Sequence, residues 1–600
     1  VQASDASPLS SPAGRHVGGR RILTGLLQGI LFYLLCHAAD LRAWPADAPL
    51  LFAPLFLAAL FVPIVFISSL GNLDRRALLS WTLAAAVVLA GLGCWDGWRV
   101  ADLPLGPAGH RPYPAIGLVF LAAAGLFIAH ALVMAAVRDR RRIATYATYF
   151  DTAWTLGVQL AFSALFLGVT WLVLFLGAQL FELVKLDFLS RLLRKDWFWI
   201  PVTAFAFACG MHLTDVRPAI VRGIRNLLLT LMSWLLPVTV LLVGGFLLAL
   251  PFTGLVPLWN TRHAASVLLC AAAALVVFVN AAWQDGDDAP PRVMRLAARL
   301  AAVLPAPLVL IAMYALALRV ADHGWTGARV HAAASMLVAT CYAAGYLAAS
   351  LRRGWLALLA RVNIATAFVV PLVILALGSP LLDPARIAVA SQVGRLASGR
   401  IKADQFDFAF LRFDAVRFGR AALDRLEQAN GPDAASVRAH IAAVRRMKTP
   451  WDGAKFDVPP PDLAVNMRIH PDGAAMPAGF LRTDWVAQEE KEHVPRWRYP
   501  ACLLQAGKRC DAFILDIDAD GRPEVLLMPE DSQSGVVFAL DAHGAWRRFA
   551  GVNASGACGF RRALAAGKVT MVKPTVQDLE IGGVRVRIEP DVPDENCKQD

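Results

Sequence analysis

Residues 114–142 read PAIGLVFLAAAGLFIAHALVMAAVRDRRR. Residues 114–137 of this stretch contain no Lys, Arg, Asp or Glu, and about 20 helical residues suffice to cross the ~30 Å hydrocarbon core of a bilayer. The run stops at Arg138, Arg140, Arg141 and Arg142. Arginine-rich connections stay on the cytoplasmic side because translocating them is costly. This one segment therefore predicts both a bilayer-spanning helix and its direction.

Working outward, comparable apolar runs occupy 22–41, 49–70, 77–95, 154–182, 197–213, 226–250, 263–283, 300–320, 330–350 and 355–378, so eleven spans are predicted. Short connections within 49–95 and 300–350 leave room for a re-entrant segment in place of a span. The 600 residues are 57% hydrophobic and 17% charged, with mean hydropathy +0.52, against about 45–50% and about 25% for a soluble domain. An ordinary soluble enzyme is excluded. With the N-terminus inside, the cytoplasmic connections hold 18 Lys/Arg and the opposite ones 10. Four of those ten lie in one segment, Lys185, Arg191, Arg194 and Lys195, which alternates basic and apolar residues as a surface-lying amphipathic helix would. Trp197 and Trp199 follow at the expected level of an aromatic belt. The net charge of +12 falls almost entirely in residues 1–384, where 28 cations face 17 anions; residues 385–600 hold 30 and 29. The expected partner is therefore a lipid bilayer and not a nucleic acid.

The fold class is thus an α-helical polytopic membrane protein of about eleven spans with a C-terminal aqueous α+β domain. Residues 1–21, rich in Ser, Ala and Pro, are predicted to be a disordered cytoplasmic tail without a signal-peptide core, so the first span acts as an uncleaved anchor. The transmembrane domain covers 22–380, a helical juxtamembrane region 385–448, and a mainly β domain 449–600. Eleven spans from a cytoplasmic start place that last domain in the periplasm.

Ionisable and amide side chains inside a bilayer are costly, so each is a candidate functional group. The spans contain His130, Gln159, Glu182, His212, Asn280 and Asn363. All but Glu182 fall in the cytoplasmic third of their helices, as the lining of an inward-opening polar cavity would; interhelical hydrogen bonds are the competing reading. Pro201, Pro237, Pro305, Pro307 and Pro371 are candidate helix breaks. No internal repeat, phosphate-binding glycine loop, HExxH pair or GxSxG elbow is present in this half.

In the aqueous part, 387–429 and 433–447 are predicted helices, the second opening at Asp433 after Gly431-Pro432. The aromatics of Phe406–Phe413 form either a docking face or the core of this helical region. Residues 449–500 read as an irregular connector, and strands are predicted at 511–517, 523–528, 535–540, 568–573 and 583–588. Between the first two strands lies Asp516-Ile517-Asp518-Ala519-Asp520-Gly521-Arg522-Pro523-Glu524. Carboxylates at positions 1, 3, 5 and 9, a glycine at 6 and the Arg522 backbone carbonyl gather hard oxygens of the kind Ca2+ requires. Leu527 stands where an EF-hand carries an acid, so the loop instead resembles the DxDxDG loops between strands of FG-GAP-type repeats. A structural Ca2+ site is predicted, against the alternative of an Asp-Gly hairpin turn that needs no metal. Five cysteines fall in spans, while Cys502, Cys510, Cys558 and Cys597 all lie in this domain. An even number there fits an oxidising compartment and up to two disulfides. Of three connectivities, Cys502 with Cys510 and Cys558 with Cys597 is favoured; with no CxxC pair, zinc is not expected.

The apolar half with Gly254-Leu255-Val256-Pro257-Leu258-Trp259 and Val279-Asn280-Ala281, then Phe406-Asp407-Phe408 with Leu411-Arg412-Phe413, then Cys510-Asp511-Ala512-Phe513 before the Asp516 loop, resembles the bacterial multi-pass membrane family catalogued as domain of unknown function 4153. The resemblance covers most of the chain after the N-terminal tail. It implies a bacterial inner-membrane protein and transfers no catalytic residue.

Three functions are compatible with these features. The first is a non-enzymatic inner-membrane protein in transport or envelope assembly, whose periplasmic domain recognises an envelope protein or glycan. The second is a lipid-linked glycosyltransferase-type enzyme with Asp40 or Asp47 as its carboxylate beyond the first span, although the connection 42–48 is short for an active site. The third is a calcium-responsive sensor coupling the Asp516 loop to the spans through 385–447. Only the first needs nothing beyond features already identified.

Overall fold

The computed structural model describes residues 12–101, 112–255, 258, 264–286, 291–352, 355–356, 358–430, 433–447, 462–471, 473–485, 488, 498–505, 507–530, 532, 534–553, 559–567, 569–572, 579–581 and 584–586. These form two units, 1–448 and 449–600.

Among the described residues of the first unit, eleven helices are long and apolar enough to cross a membrane. In chain order the helices are α1 (Pro12–Leu41), α2 (Pro49–Ser69), α3 (Arg75–Val100), α4 (Ile116–Arg138), α5 (Tyr146–Leu183), the short α6 (Phe188–Leu193), α7 (Asp196–Val216), α8 (Pro218–Thr253), α9 (Ala264–Trp283), α10 (Arg292–Val303), α11 (Pro305–His323), α12 (Gly327–Leu351) and α13 (Leu359–Leu377). Each predicted span has its helix; α1, α3, α5, α7, α8 and α12 run beyond the predicted bounds, whereas α13 starts at Leu359, four residues after the predicted start. The first begins at Pro12, so residues 12–21, predicted as disordered tail, are helical. The span predicted at 300–320 straddles the junction of α10 and α11 at Leu304. Three of the helices, α3, α5 and α12, start where a side chain satisfies a free backbone N–H group: Asp74 accepts from Arg76 N at 3.3 Å, Thr145 from Thr148 N at 3.4 Å and Thr326 from Arg329 N at 3.4 Å.

Hydrocarbon gives helices no hydrophobic reason to associate, so close backbone packing does much of the work. Two Gly-x-x-x-Gly seams supply it. On α3, a Cβ on Gly93 would sit 2.5 Å from Pro54 N, and one on Gly97 would collide with the Pro49 carbonyl of α2. On α1, a Cβ on Gly29 would lie 2.5 Å from Pro201 Cα, and one on Gly25 would collide with Ala208 of α7. A second core, Leu236, Leu275, Ala298, Leu308, Tyr346 and Leu359, joins α8 to α13. The outward faces remain apolar: Leu172 is 69% exposed, Leu241 75% and Phe252 90%. In water each such side chain forgoes about 1.5–3 kcal/mol of burial, a penalty that lipid removes.

Beyond the spans, the helix predicted at 387–429 is three helices: α14 (Pro384–Ala397), α15 (Phe408–Phe413) and α16 (Val416–Gln428), followed by α17 (Ala434–Arg446). The chain breaks at Gly399, whose φ of +69° is left-handed, and restarts at Asp407, which accepts from Phe410 N at 2.9 Å. Phe406, Phe408 and Leu411 are buried with Leu423, Ile441 and Met447, so these aromatics form the core of the helical region. The region is tied to the end of α3. Trp95 Nε1 donates to Asp383 at 3.0 Å, Arg99 pairs with Asp383 at 3.1 Å, and the Arg417 guanidinium lies 4.3 Å over the Trp98 ring.

The second unit holds a five-stranded sheet, β1 (Met467–His470), β2 (Cys510–Leu515), β3 (Glu524–Pro529), β4 (Ser534–Leu540) and β5 (Trp546–Asn553), in that spatial order. β1 is parallel to β2 and the other pairs are antiparallel. A separate hairpin pairs β6 (Leu579–Ile581) with β7 (Val584–Val586). β3 is buried on both faces: Val525 and Leu527 pack with Phe480, Trp485 and Phe538, while Leu526 and Met528 pack with Phe513 and Leu564. Three strands escaped the sequence reading: β1, β5 and β6. β1 lies inside the predicted connector, and β5 carries Arg547 and Arg548 in a half-exposed edge pattern that masks its alternation. Residues 569–572, predicted as strand, are not extended into the sheet.

Candidate functional site

The polar groups predicted inside the bilayer do not line one cavity; they resolve into separate clusters. The largest joins four helices. Tyr146 of α5 donates its hydroxyl to Asn280 Oδ1 of α9 at 3.0 Å, and Asn280 Nδ2 donates to the Tyr346 hydroxyl of α12 at 2.7 Å. Tyr346 donates to Asn363 Oδ1 of α13 at 2.8 Å, and Asn363 Nδ2 closes the ring on Asn280 Oδ1 at 2.6 Å and Tyr146 at 3.2 Å. Asn280 also donates to the Val276 carbonyl at 2.9 Å. Both amides have their oxygen and nitrogen engaged within the ring, as a buried polar network must to avoid a desolvation penalty.

The second cluster is charged. Arg21 of α1, 2% exposed, pairs with Asp215 of α7 at 2.7 Å and also donates to the Leu70 carbonyl. Gln159 reaches the same carboxylate at 3.5 Å. His212, one turn before Asp215, lies against Gly18, where a Cβ would sit 2.6 Å from its Nε2; its Nδ1 has no partner among the described residues. In the third cluster the His130 ring accepts from Trp81 Nε1 at 2.9 Å and contacts Ser68 Oγ at 3.0 Å. Glu182 stands apart from all three, exposed and bonded to Gln179 Nε2 at 3.1 Å. At the arginine-rich end, Asp139 holds the turn between α4 and α5. The Thr145 backbone N–H at 2.8 Å and the Thr148 hydroxyl at 2.7 Å keep its carboxyl below the ordinary range.

In the second unit, β2 and β3 hold the acidic loop as a hairpin with Leu515 opposite Glu524. Asp516, Asp518 and Glu524 each place a carboxylate oxygen within 4.8 Å of the others, and Glu524 is buried. One Glu524 oxygen accepts from Ile517 N at 2.6 Å, which leaves its other oxygen for a ligand. Gly521, at φ +84°, makes the turn. Asp520 is outside this group of three; its carboxylate accepts from Arg522 N at 2.7 Å. Three converging carboxylates are hard oxygen donors, the ligand type that Ca2+ takes. Cys502 and Cys510 form a disulfide. Asn466, buried beside it, donates to the Cys502 and Gln505 carbonyls at 2.9 and 2.8 Å and accepts from Gly507 N at 3.2 Å. Cys558 and Cys597 lie outside the described residues. Asp511, on the neighbouring strand position, is shared by His470 Nε2 at 3.1 Å and Arg561 at 2.8 Å.

The sequence reading found the amides but missed their partners. Tyr346, Trp81 and Ser68 were read as ordinary span residues, Tyr146 fell in the connection before the predicted 154–182 span, Asp215 was not singled out, and Arg21 was counted among loop cations. The arginine within an apolar helix and the tyrosines at span ends were the available signals; the pairings themselves join residues up to 217 positions apart.

No curated protein and no solved structure matches this chain. Residues 44–425 match a family described as domain of unknown function (DUF4153). The match takes in α2 to α15 and most of α16, and stops before the sheet unit, so the Cys510 and Asp516 motifs fall outside it. With ten of the eleven candidate spans and the polar ring inside the matched residues, this multi-pass chain belongs to the DUF4153 family.

Proposed function

We propose that this protein is a non-enzymatic inner-membrane component of transport or envelope assembly, with the N-terminus cytoplasmic and the sheet unit as a periplasmic recognition domain. The observation that carries the reading is how the polar side chains of the spans are used. Apart from Glu182 and His212, those singled out bond to one another or to a neighbouring helix, as in the Tyr146–Asn280–Tyr346–Asn363 ring. Such pairing holds helices in register and leaves no activated nucleophile. The 18 to 10 distribution of cations supports a cytoplasmic N-terminus. The Cys502–Cys510 disulfide supports an oxidising compartment for the sheet unit. Against a glycosyltransferase site, the connection bearing Asp47 spans only from Leu41 to Pro49, too short to enclose a sugar donor. Asp516, Asp518 and Glu524 hold a structural Ca2+ that stiffens the β2–β3 hairpin. Envelope proteins or glycans are its partners.

The test uses the full chain with its five span cysteines and Cys558 and Cys597 replaced by alanine. In cells with a permeabilised outer membrane, Cys502 and Cys510 resist a membrane-impermeant maleimide until reductant is added, and then both react. Labelling that requires lysis of the inner membrane overturns the orientation. For the metal, Ca2+ at 100 times its Kd raises stability by about 2.7 kcal/mol, seen as a higher Tm of the detergent-purified protein. A shift that survives Asp518→Ala removes the loop as the site.

A further inference from the structure

We propose that a cavity inside the first unit, between α2, α4, α5 and α7, binds the ester end of a lipid acyl chain, with Ser68 donating to the ester carbonyl. The cavity is half-open, encloses about 170 Å³, and is walled by Phe61, Val65, Leu126, Leu156, Leu160 and Met211. Ser68 and His130 are its polar residues. Apolar cavities of about 150 Å³ stay dry and accept a guest the size of benzene, so this one takes the first few carbons of a chain whose remainder lies in the bilayer.

The direction of the hydrogen bonds identifies the polar end. An indole N–H only donates, so His130 Nδ1, which receives Trp81 Nε1 at 2.9 Å, carries no proton. The proton of the neutral ring is then on Nε2 and points to Ser68 Oγ at 3.0 Å. Ser68 therefore accepts, and its own hydroxyl proton is left to donate. No acceptor for it is found among the described residues, although many other hydroxyls of the spans bond the carbonyl four residues back, as Thr24, Ser163 and Thr170 do. The Trp81–His130–Ser68 relay thus ends in a free donor at the rim of an apolar cavity. The same polarity leaves His130 unable to take a proton from Ser68, so the pair is not a nucleophile and its base.

Depth and direction match an acyl ester. Trp81 lies six residues past Arg75, about 9 Å of helix, which sets the relay just inside the arginine-bearing end of the spans. From there the walls run inward along α2 through Val65 to Phe61, along α4 through Leu126, and along α5 from Leu156 to Leu160. A chain leaving its ester takes the same course. Polarity is concentrated at the relay's own end: Arg21, which donates to the Leu70 carbonyl two residues past Ser68, pairs there with Asp215.

The test reconstitutes the full chain in vesicles of phosphatidylethanolamine and phosphatidylglycerol containing a phosphatidylglycerol probe with a photoreactive acyl chain, ester-linked or ether-linked. Labelled peptides are read by mass spectrometry. Losing one neutral hydrogen bond costs about fivefold in occupancy, so the ester probe should label the 61–68, 123–130 and 156–160 segments about five times more than the ether probe. Ser68→Ala should bring the ester to the ether level, and Ser68→Thr, which retains the donor, should keep the preference. Leu126→Trp, which fills the cavity, should abolish labelling of these segments by both probes. Equal labelling of the wild type by the two probes overturns the proposal, as does a preference that survives Ser68→Ala or is lost in Ser68→Thr. Labelling indifferent to Leu126→Trp shows ordinary lipid contact and overturns it equally.

Discussion

Asn363 is the residue on which the four-helix polar ring can be tested most directly. Replacing it by leucine keeps the volume roughly constant and removes three hydrogen bonds at 2.6, 2.8 and 3.2 Å, to Asn280, Tyr346 and Tyr146. Hydrogen bonds between helices in a bilayer average about 0.6 kcal/mol and reach about 1.7. Three of them amount to about 2 kcal/mol. Tyr346 is fully buried and retains only its bond from Asn280, so its hydroxyl proton loses its acceptor and the cost does not fall below that sum. The assay is equilibrium unfolding of the detergent-purified full chain in increasing dodecyl sulfate, for Asn363→Leu, Asn280→Leu and the double variant. The two amides share a direct bond and a common tyrosine, so the double variant should be about 1 kcal/mol more stable than the sum of the single losses predicts. Single losses of a few tenths of a kcal/mol that add without coupling would refute the ring as a unit.

Asp215→Ala leaves Arg21 charged and nearly fully buried, which should cost about 3 kcal/mol, at the low end of the range because the carboxylate is partly exposed. Adding Arg21→Met should restore most of the loss; a double variant as unstable as the single in thermal melts would place the cost elsewhere. In the β4–β5 turn, Asp541 accepts from Ala545 N and His543 N at 2.9 Å each and from Arg547 at 2.6 Å. The Ala545 backbone N–H leads in pulling its carboxyl from the ordinary 3.8 to about 2. A depressed carboxylate stabilises the fold fully above its unfolded value and loses that contribution as pH falls through the folded one. Hydrogen exchange of the 534–553 peptides, corrected for intrinsic rates, should therefore accelerate between about pH 4 and pH 2. Asp541→Asn should remove this dependence.

The eleven crossings, the arginine-rich end and the acidic hairpin were legible in the residues alone, because each depends on a property that runs along the chain. A bilayer tests every 20-residue window for polarity, whatever lies beside it, and the loop Asp516–Glu524 carries its three converging donors within nine positions. The Cys502–Cys510 pair was legible for the same reason, with a separation of 8 residues. The break of the predicted 387–429 helix was harder to read, since Gly399 and Asp407 are local signals outweighed by the strong helical spacing around them. β5 was hidden because its faces alternate in burial but not in polarity, with Arg548 on the inner face and Phe549 on the outer.

What tertiary structure alone decided is which polar group meets which. Asn280 and Asn363 announced themselves as costly residues in hydrocarbon, but nothing along the chain pairs them with Tyr146 and Tyr346. Arg21 reads as a loop cation until α1 is seen to begin at Pro12 and to pack through Gly25 and Gly29 on α7, which carries Asp215 to it. The direction of the Trp81–His130–Ser68 relay likewise exists only once α2, α3 and α4 are side by side. The physical reason is that burial in a membrane is a property of composition, which the chain carries residue by residue. Satisfying a buried hydrogen bond is a property of pairs, and those pairs form only when helices far apart in sequence come within about 3 Å at a particular rotation.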